Sequence, residues 1–106
     1  MDYTHGMVLV LESDTFRQWR SKLKDRVAVA RITARIKRLS NGYFGDSKYL
    51  RESIRELRID HGPGYRVYFT LRGDSLILLL AGGDKTTQTA DIDRAIKLAE
   101  SWRTET

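Results

Sequence analysis

The sequence predicts a single α+β domain, in which one strand and a pair of helices precede a meander of three antiparallel strands and a last helix. Two observations predict this class. The segment 56–72 alternates apolar and polar residues on both sides of a Gly-Pro-Gly loop, which is the pattern of a β-hairpin. The segment 76–81 is an unbroken apolar run, typical of a central strand covered on both faces. The chain of 106 residues is long enough for one modest core.

The N-terminal residues carry the least information. Residues 1–6 show no periodicity and are expected to form a flexible leader, so that the domain itself covers residues 7–106. Residues 7–11, Met-Val-Leu-Val-Leu, are a short apolar run that predicts the first strand. The sequence has no apolar run of membrane-spanning length, and no charged-then-apolar leader precedes the first strand. The expected location is therefore the cytoplasm.

Two helices are predicted to follow the first strand as an antiparallel hairpin. Ser13 provides an N-cap for the first helix, whose apolar residues recur at helical spacing, and Asp25 precedes the second. Gly42 stands where a left-handed helix cap is expected. Residues 43–53 are predicted to be a loop. The apolar stripes of the two helices consist of Phe16, Trp19 and Leu23, and of Val29, Ile32, Ile36 and Leu39.

The remaining elements are three strands and a helix. The second and third strands flank the Gly-Pro-Gly loop, and the pair Gly73-Asp74 predicts a tight turn before the apolar run 76–81. Asp91 is expected to open the last helix. The apolar stripe of this helix consists of Ile92, Ala95, Ile96, Ala99 and Trp102.

Strand alternation gathers four polar side chains on one face of the hairpin. Glu56 and Arg58 lie on one face, because successive side chains of a strand point to opposite sides. The same rule places Arg66 and Tyr68 on that face of the next strand. A guanidinium offers paired donors that match two phosphate oxygens, so we interpret the face as an anion-binding surface for a phosphate-rich ligand. The alternative is a solvated face with Glu–Arg pairs that contribute little to stability.

Composition limits the chemistry that this face can perform. The chain has no cysteine and two histidines, which excludes disulfides, thiolate zinc sites and histidine-rich metal sites. No metal and no cofactor are therefore expected. Nineteen Lys+Arg against fourteen Asp+Glu give a formal charge of +5. This balance is compatible with a nucleic acid or an acidic protein partner, and equally with an ordinary basic surface.

Three further features have both a functional and a structural interpretation. Gly82 and Gly83 allow close approach of another chain or a ligand near Lys85, but the P-loop spacing is absent and an ordinary turn explains them too. His61 is either a titrating acid or base or an exposed loop residue. A run of basic residues on the second helix either contacts the backbone of a nucleic acid or forms the solvated outer face of the helix. This run consists of Arg31, Arg35, Lys37 and Arg38.

Several runs together resemble one known family. The segment 62–69, Gly-Pro-Gly-Tyr-Arg-Val-Tyr-Phe, combined with Gly-Gly-Asp-Lys at 82–85, is similar to the HigB-like addiction-module-killer branch of the RelE/ParE toxin superfamily. The resemblance extends from Met7 to about Ala99 with a similar order of elements. It departs at Tyr43, where the family more often has Asn. Supporting runs are Phe16-Arg17-Gln18-Trp19, Gly45-Asp46 with Lys48, and Glu56-Leu57-Arg58-Ile59.

The resemblance implies a RelE-like fold and a type II toxin that a cognate antitoxin, here of the helix-turn-helix kind, neutralises. Well-studied members cut messenger RNA in the ribosomal A site. By this resemblance Arg66 and Arg58 hold the scissile phosphate, Glu56 or Lys85 moves protons, and Tyr68 stacks on a base or orients the phosphate. The other residues expected to contact RNA are His61, Arg31, Arg35, Lys37 and Arg38.

The expected function is therefore a ribosome-dependent, metal-independent mRNA endoribonuclease that arrests translation. The expected partners are the antitoxin, the ribosome and mRNA, with operator DNA reached only through the antitoxin and no membrane involved. Two alternatives stay open. Other members of the superfamily poison DNA gyrase without chemistry of their own, and a degenerate toxin would only bind its antitoxin. The polar face with Arg58 and Arg66 favours cleavage.

Overall fold

The computed structural model describes residues 8–102, which form a five-stranded sheet covered by helices on both faces. The predicted leader 1–6, Met7 at the start of the predicted first strand, and residues 103–106 lie outside the described residues. The elements are β1 Leu9–Glu12, α1 Asp14–Ser21, α2 Arg26–Ser40, β2 Ser47–Arg51, β3 Ile54–Ile59, β4 Tyr65–Arg72, β5 Leu76–Gly83, a 3₁₀ turn Lys85–Thr87 and α3 Gln88–Ser101.

The sheet is mixed, with the spatial order β1-β5-β4-β3-β2. The first strand of the chain pairs in parallel with the last, while β2, β3, β4 and β5 form an antiparallel meander. The predicted α+β class is confirmed, and the architecture is compatible with a RelE-like fold.

The meander has four strands rather than the predicted three. The loop predicted for residues 43–53 is wrong in its middle part, where Ser47–Arg51 form β2. This strand lies at the edge of the sheet, and most of its side chains are exposed. Only Leu50 packs against a core cluster, so the strand carries no apolar alternation to reveal it. A two-residue turn at Glu52 and Ser53, with φ of 53° and 69°, joins β2 to β3.

One face of the sheet packs under α1 and α2. Ser13 caps α1 as predicted, since its hydroxyl accepts from Phe16 N at 2.9 Å and donates to Leu80 O of β5 at 2.6 Å. Asp25 caps α2, and Gly42 follows that helix with φ of +90°, both as predicted. The buried residues of this core are Phe16, Ile32, Leu39, Leu57, Ile59, Val67, Phe69, Ile77 and Leu79.

The opposite face packs under α3, so β5 lies between two cores and contributes apolar side chains to each of them, as its unbroken apolar run predicts. The helix begins at Gln88, three residues before the predicted Asp91, which lies buried in its first turn. Within residues 8–102 no helix is long and apolar enough to cross a membrane. The buried residues of this second core are Ile54, Tyr68, Leu78, Leu80, Ala81, Ala95 and Ala99.

Candidate anion-binding cleft

Three side chains predicted to be catalytic, Arg58, Arg66 and Lys85, line one open cleft of about 420 Å³. The two arginines are direct cross-strand neighbours in the pairing of β3 with β4. Like charges in this position repel each other, so each needs a carboxylate nearby. Two neighbouring strands therefore place two guanidinium groups side by side in the cleft, where Asp46 and Asp60 also lie. The rest of the lining consists of Asp46, Ile59, Asp60, Gly62, Pro63 and Gly64.

Arg58 is held by Asp46, which lies just before β2. Both Nε and Nη2 of Arg58 donate to the same carboxylate oxygen, Oδ1, at 3.0 and 2.7 Å. This pair raises the pKa of Arg58 above its ordinary value. The Arg58 side chain nevertheless remains 39% exposed, so the guanidinium is within reach of a ligand in the cleft.

Arg66 is less exposed than Arg58, at 12% of its side chain. Its Nη1 donates to the carbonyl oxygens of Gly64 and Tyr65 at 3.0 and 3.3 Å. Its Nε is buried without a hydrogen-bond partner, and no other buried side-chain nitrogen or oxygen in residues 8–102 shares this condition. Such a group costs about 1–3 kcal/mol, and a functional role is one of the explanations for tolerating it.

Glu56 and Tyr68 lie behind the cleft and are buried under α3. The exposed position predicted for Tyr68 is therefore wrong, and its ring cannot stack on an RNA base in this conformation. Its hydroxyl donates to Glu56 Oε2 at 3.2 Å, and Gln88 Nε2 donates to the same oxygen at 2.8 Å. Burial, followed by the charge of Glu56, raises the pKa of Tyr68 well above its ordinary value. Arg66 Nε lies 3.8 Å from the same Oε2.

Gln88 is the residue of this network that the sequence did not predict. It stands three residues before the predicted start of the last helix, in a polar stretch without periodicity. The capped 3₁₀ turn Lys85–Thr87 leads directly into α3 and brings Gln88 under the sheet. The same turn starts with Lys85, so one short segment supplies both a residue of the cleft and a residue behind it.

Lys85 is exposed and approaches the loop between β3 and β4 at Gly64. Gly64 has φ of +81°, and a Cβ at this position would lie 3.4 Å from both Lys85 Cβ and Arg66 Nη1. The positive φ accounts for the glycine, and the lysine and the arginine both approach this stretch of backbone. The catalytic role of Lys85 stays a prediction, but its predicted neighbours are in place.

The two glycines before Asp84 approach this chain's own helices. A Cβ on Gly82 would overlap the Trp19 ring of α1, and a Cβ on Gly83 would overlap the carboxylate of Asp91 in α3. The pair therefore lets helices pack closely on both faces of the end of β5. This packing accounts for the two glycines in full, without an external chain or ligand.

His61 lies outside the lining of the cleft. Its Nε2 is 2.9 Å from Oδ2 of Asp25, the N-cap residue of α2. The hydrogen bond from His61, followed by the helix N–H groups, lowers the pKa of Asp25. His61 thus links the loop after β3 to the start of α2, and its predicted RNA contact stays a prediction.

The basic run of α2 divides into two kinds of residue. Arg31, Lys37 and Arg38 are exposed, as an RNA-binding surface would need. Arg35 is instead half-buried, and its guanidinium donates to Arg58 O at 2.6 Å and to Asp46 O at 3.2 Å. Burial lowers the pKa of Arg35 below its ordinary value. The exposed position expected for Arg35 is therefore wrong, because its guanidinium is bound to the backbone carbonyl groups of Arg58 and Asp46.

The fold and the cleft together define a small α+β protein, compatible with a RelE-like fold, with an open cleft lined by three basic and two acidic side chains. Within residues 8–102 no group of three or more His, Asp and Glu side chains is placed to hold a metal ion. The chain belongs to the family of phage-derived Gp49-like proteins, whose family model matches residues 16–103. This is a family of toxin–antitoxin-associated proteins.

A relative at high identity is known in Haemophilus influenzae strain Rd. It is an uncharacterized protein that is 55% identical over 86 residues, which cover 81% of this chain and 87% of that protein.

Proposed function

We propose that this chain is a toxin of the HigB-like branch of the RelE/ParE superfamily, and that it cleaves messenger RNA on the ribosome. The observation that carries the proposal is the convergence of Arg58, Arg66 and Lys85 on one cleft. Membership of a family of toxin–antitoxin-associated proteins supports it, as do the sequence runs that resemble the HigB-like branch.

In the proposed reaction, the RNA supplies its own nucleophile. The 2′-hydroxyl attacks the adjacent phosphorus, its proton passes to water in the open cleft, and the bond to the 5′ oxygen breaks. Arg58 and Arg66 hold the phosphate oxygens and stabilise the charge that develops on them. Lys85, as an ammonium group, donates a proton to the departing 5′ oxygen. Glu56 lies behind the cleft, so its part in this scheme is to support Arg66.

The proposed partner is a helix-turn-helix antitoxin that covers an apolar edge of the toxin. Leu9 and Leu11 are exposed at 59% and 37% on β1, the edge strand beside β5. Exposed leucines on an unpaired edge suit coverage by another chain. Co-expression with the neighbouring small gene should restore growth, and its product should co-purify with this chain. If no neighbour binds, the addiction-module part of the proposal fails.

Pulse labelling after induction tests the proposed activity. Incorporation of labelled amino acids should stop before incorporation of labelled thymidine, and primer extension should reveal new message ends. The matched control is Arg58→Ala, which removes one exposed phosphate-binding group but leaves both cores intact. If DNA synthesis stops first and no message is cut, the protein is a gyrase-type poison and the nuclease proposal is refuted.

A further inference from the structure

The Arg66 guanidinium and the Glu56 carboxylate are buried side by side without a hydrogen bond. Arg66 Nε lies 3.8 Å from Glu56 Oε2, and their side chains are only 12% and 2% exposed. A close Arg–carboxylate pair has an N···O distance of about 2.7–2.9 Å. The separation is therefore about 1 Å too long, in a setting where a direct bond would be strong.

Two neutral donors occupy the oxygen that Arg66 would otherwise bind. Gln88 Nε2 and the Tyr68 hydroxyl both donate to Glu56 Oε2, at 2.8 and 3.2 Å. A carboxylate oxygen has about two lone-pair positions, so these donors fill them. Arg66 consequently makes no direct hydrogen bond to Glu56 that would neutralise its charge. Within residues 8–102, Nη2 of Arg66 also has no hydrogen bond to a protein acceptor.

We propose that Gln88 is a positioning residue that prevents Glu56 from closing on the buried Nε of Arg66, so that the charge of the guanidinium stays available to an RNA phosphate that binds at Nη2. The inference rests on the function proposed for the cleft. Gln88 acts through Glu56, because neither of them lines the cleft. A glutamine suits this role, because its amide donates a hydrogen bond to the carboxylate without adding a charge that would compete for the phosphate.

The first test is Gln88→Met, which keeps the length of the side chain but removes the donor. Glu56 Oε2 then becomes free to bond Arg66 Nε. The dissociation constant of an RNA oligonucleotide with a 2′-deoxy block at the cleavage position should rise roughly tenfold, the size expected for one competing charged hydrogen bond. The Arg66 Nε–H proton, followed by NMR, should exchange more slowly with water. The control is Thr89→Ala, since Thr89 is the exposed neighbour of Gln88 at the start of α3. It should change neither the dissociation constant nor the exchange rate.

A double-mutant cycle separates positioning from a merely structural role. In Glu56→Gln no carboxylate remains to close on Arg66, so adding Gln88→Met should cost little further RNA affinity. If the two effects on affinity add, Gln88 acts independently of Glu56 and the inference is overturned. Tyr68→Phe removes the second donor while keeping the buried ring. Like Gln88→Met, it should weaken RNA binding and slow the exchange of the Arg66 Nε–H proton with water. It serves as the test if Gln88→Met does not fold.

The outcomes also separate this inference from the proposed function. If the parent protein cuts no message in the pulse-labelling and primer-extension test, the proposed function fails. The Arg66 Nε–H exchange rate still decides whether Gln88 holds Glu56 and Arg66 apart. If the parent binds RNA and Gln88→Met leaves both affinity and exchange unchanged, the proposed function stands and the positioning role of Gln88 is refuted.

Discussion

Replacement of Arg66 by alanine is expected to abolish RNA cleavage while the protein still folds. In the folded protein Arg66 makes two hydrogen bonds to loop carbonyls, of Gly64 and Tyr65. Each contributes about 0.5–1.5 kcal/mol. Alanine also removes the buried Nε that has no partner, whose burial costs about 1–3 kcal/mol. The two effects largely cancel, so Tm should stay within roughly 10 °C of the parent value.

The effect on the reaction should be far larger than the effect on stability. Removal of one donor to a developing oxyanion costs about 2–4 kcal/mol in the transition state, which lowers the rate roughly 30- to 1000-fold. Arg66→Lys should restore only part of this rate, because a point charge cannot reproduce the planar fork of donors.

The assay compares growth after induction with primer-extension maps of message ends, alongside Tm and antitoxin binding. Arg72→Ala is the matched control. Arg72 lies on the same strand and the same face as Arg66, but it donates to Trp102 O and Ala99 O at the end of α3, at 2.8 and 2.7 Å. Its replacement should lower Tm and leave cleavage intact. If soluble Arg66→Ala remains as toxic as the parent with the same cleavage pattern, the proposed site is wrong.

Three further predictions concern packing, docking and acid stability. Gly83→Ala should destabilise the fold by roughly 3 kcal/mol or more, because its Cβ overlaps the Asp91 carboxylate; a parent-like Tm would contradict that packing. Replacing Lys37 and Arg38 by glutamate should flatten the salt dependence of ribosome binding, by roughly 0.7–0.9 in log–log slope for each RNA phosphate that the variant no longer neutralises; an unchanged slope would assign them to a solvated face. The lowered pKa of Asp25 gives stability that is complete above 3.8, its ordinary value, and disappears as pH falls through the lower value of the folded state. In denaturant titrations across this acid range, the free energy of unfolding should depend less on pH in Asp25→Asn than in the parent protein. If both proteins show the same dependence, Asp25 is not the source of this stability.

Alternation and capping predicted most of the fold because each reports a local constraint. The apolar run of β5 predicted coverage on both faces, and Ser13, Asp25 and Gly42 predicted the helix boundaries where they occur. The edge strand β2 was missed because its exposed side chains do not need to alternate. The start of α3 was misplaced because Gln88 opens the helix through a 3₁₀ turn rather than through a side-chain cap.

The candidate site was predicted in part, for a related reason. Alternation correctly placed Glu56, Arg58, Arg66 and Tyr68 on one face, but it does not say whether that face meets solvent or another layer. The information was nevertheless present elsewhere in the chain. The apolar run of β5 indicated a strand covered on both sides, and β4 lies beside it in the interior of the sheet, where Tyr68 is buried. The partnership of Glu56 with Gln88 depends on tertiary geometry, which no local pattern contains.

The close packing at Gly82 and Gly83 changes what the Gly-Gly-Asp-Lys run can be used to diagnose. Neither glycine could gain a methyl group without displacing the side chain of Trp19 or Asp91, whatever reaction the protein performs. A descendant without any activity would still need both of them to assemble. The two glycines therefore mark the architecture, while the exposed Lys85 has no such packing role and is the residue of the run to which the proposed chemistry assigns a part. A search for active relatives should therefore require the lysine, and should use the two glycines only as evidence of the fold.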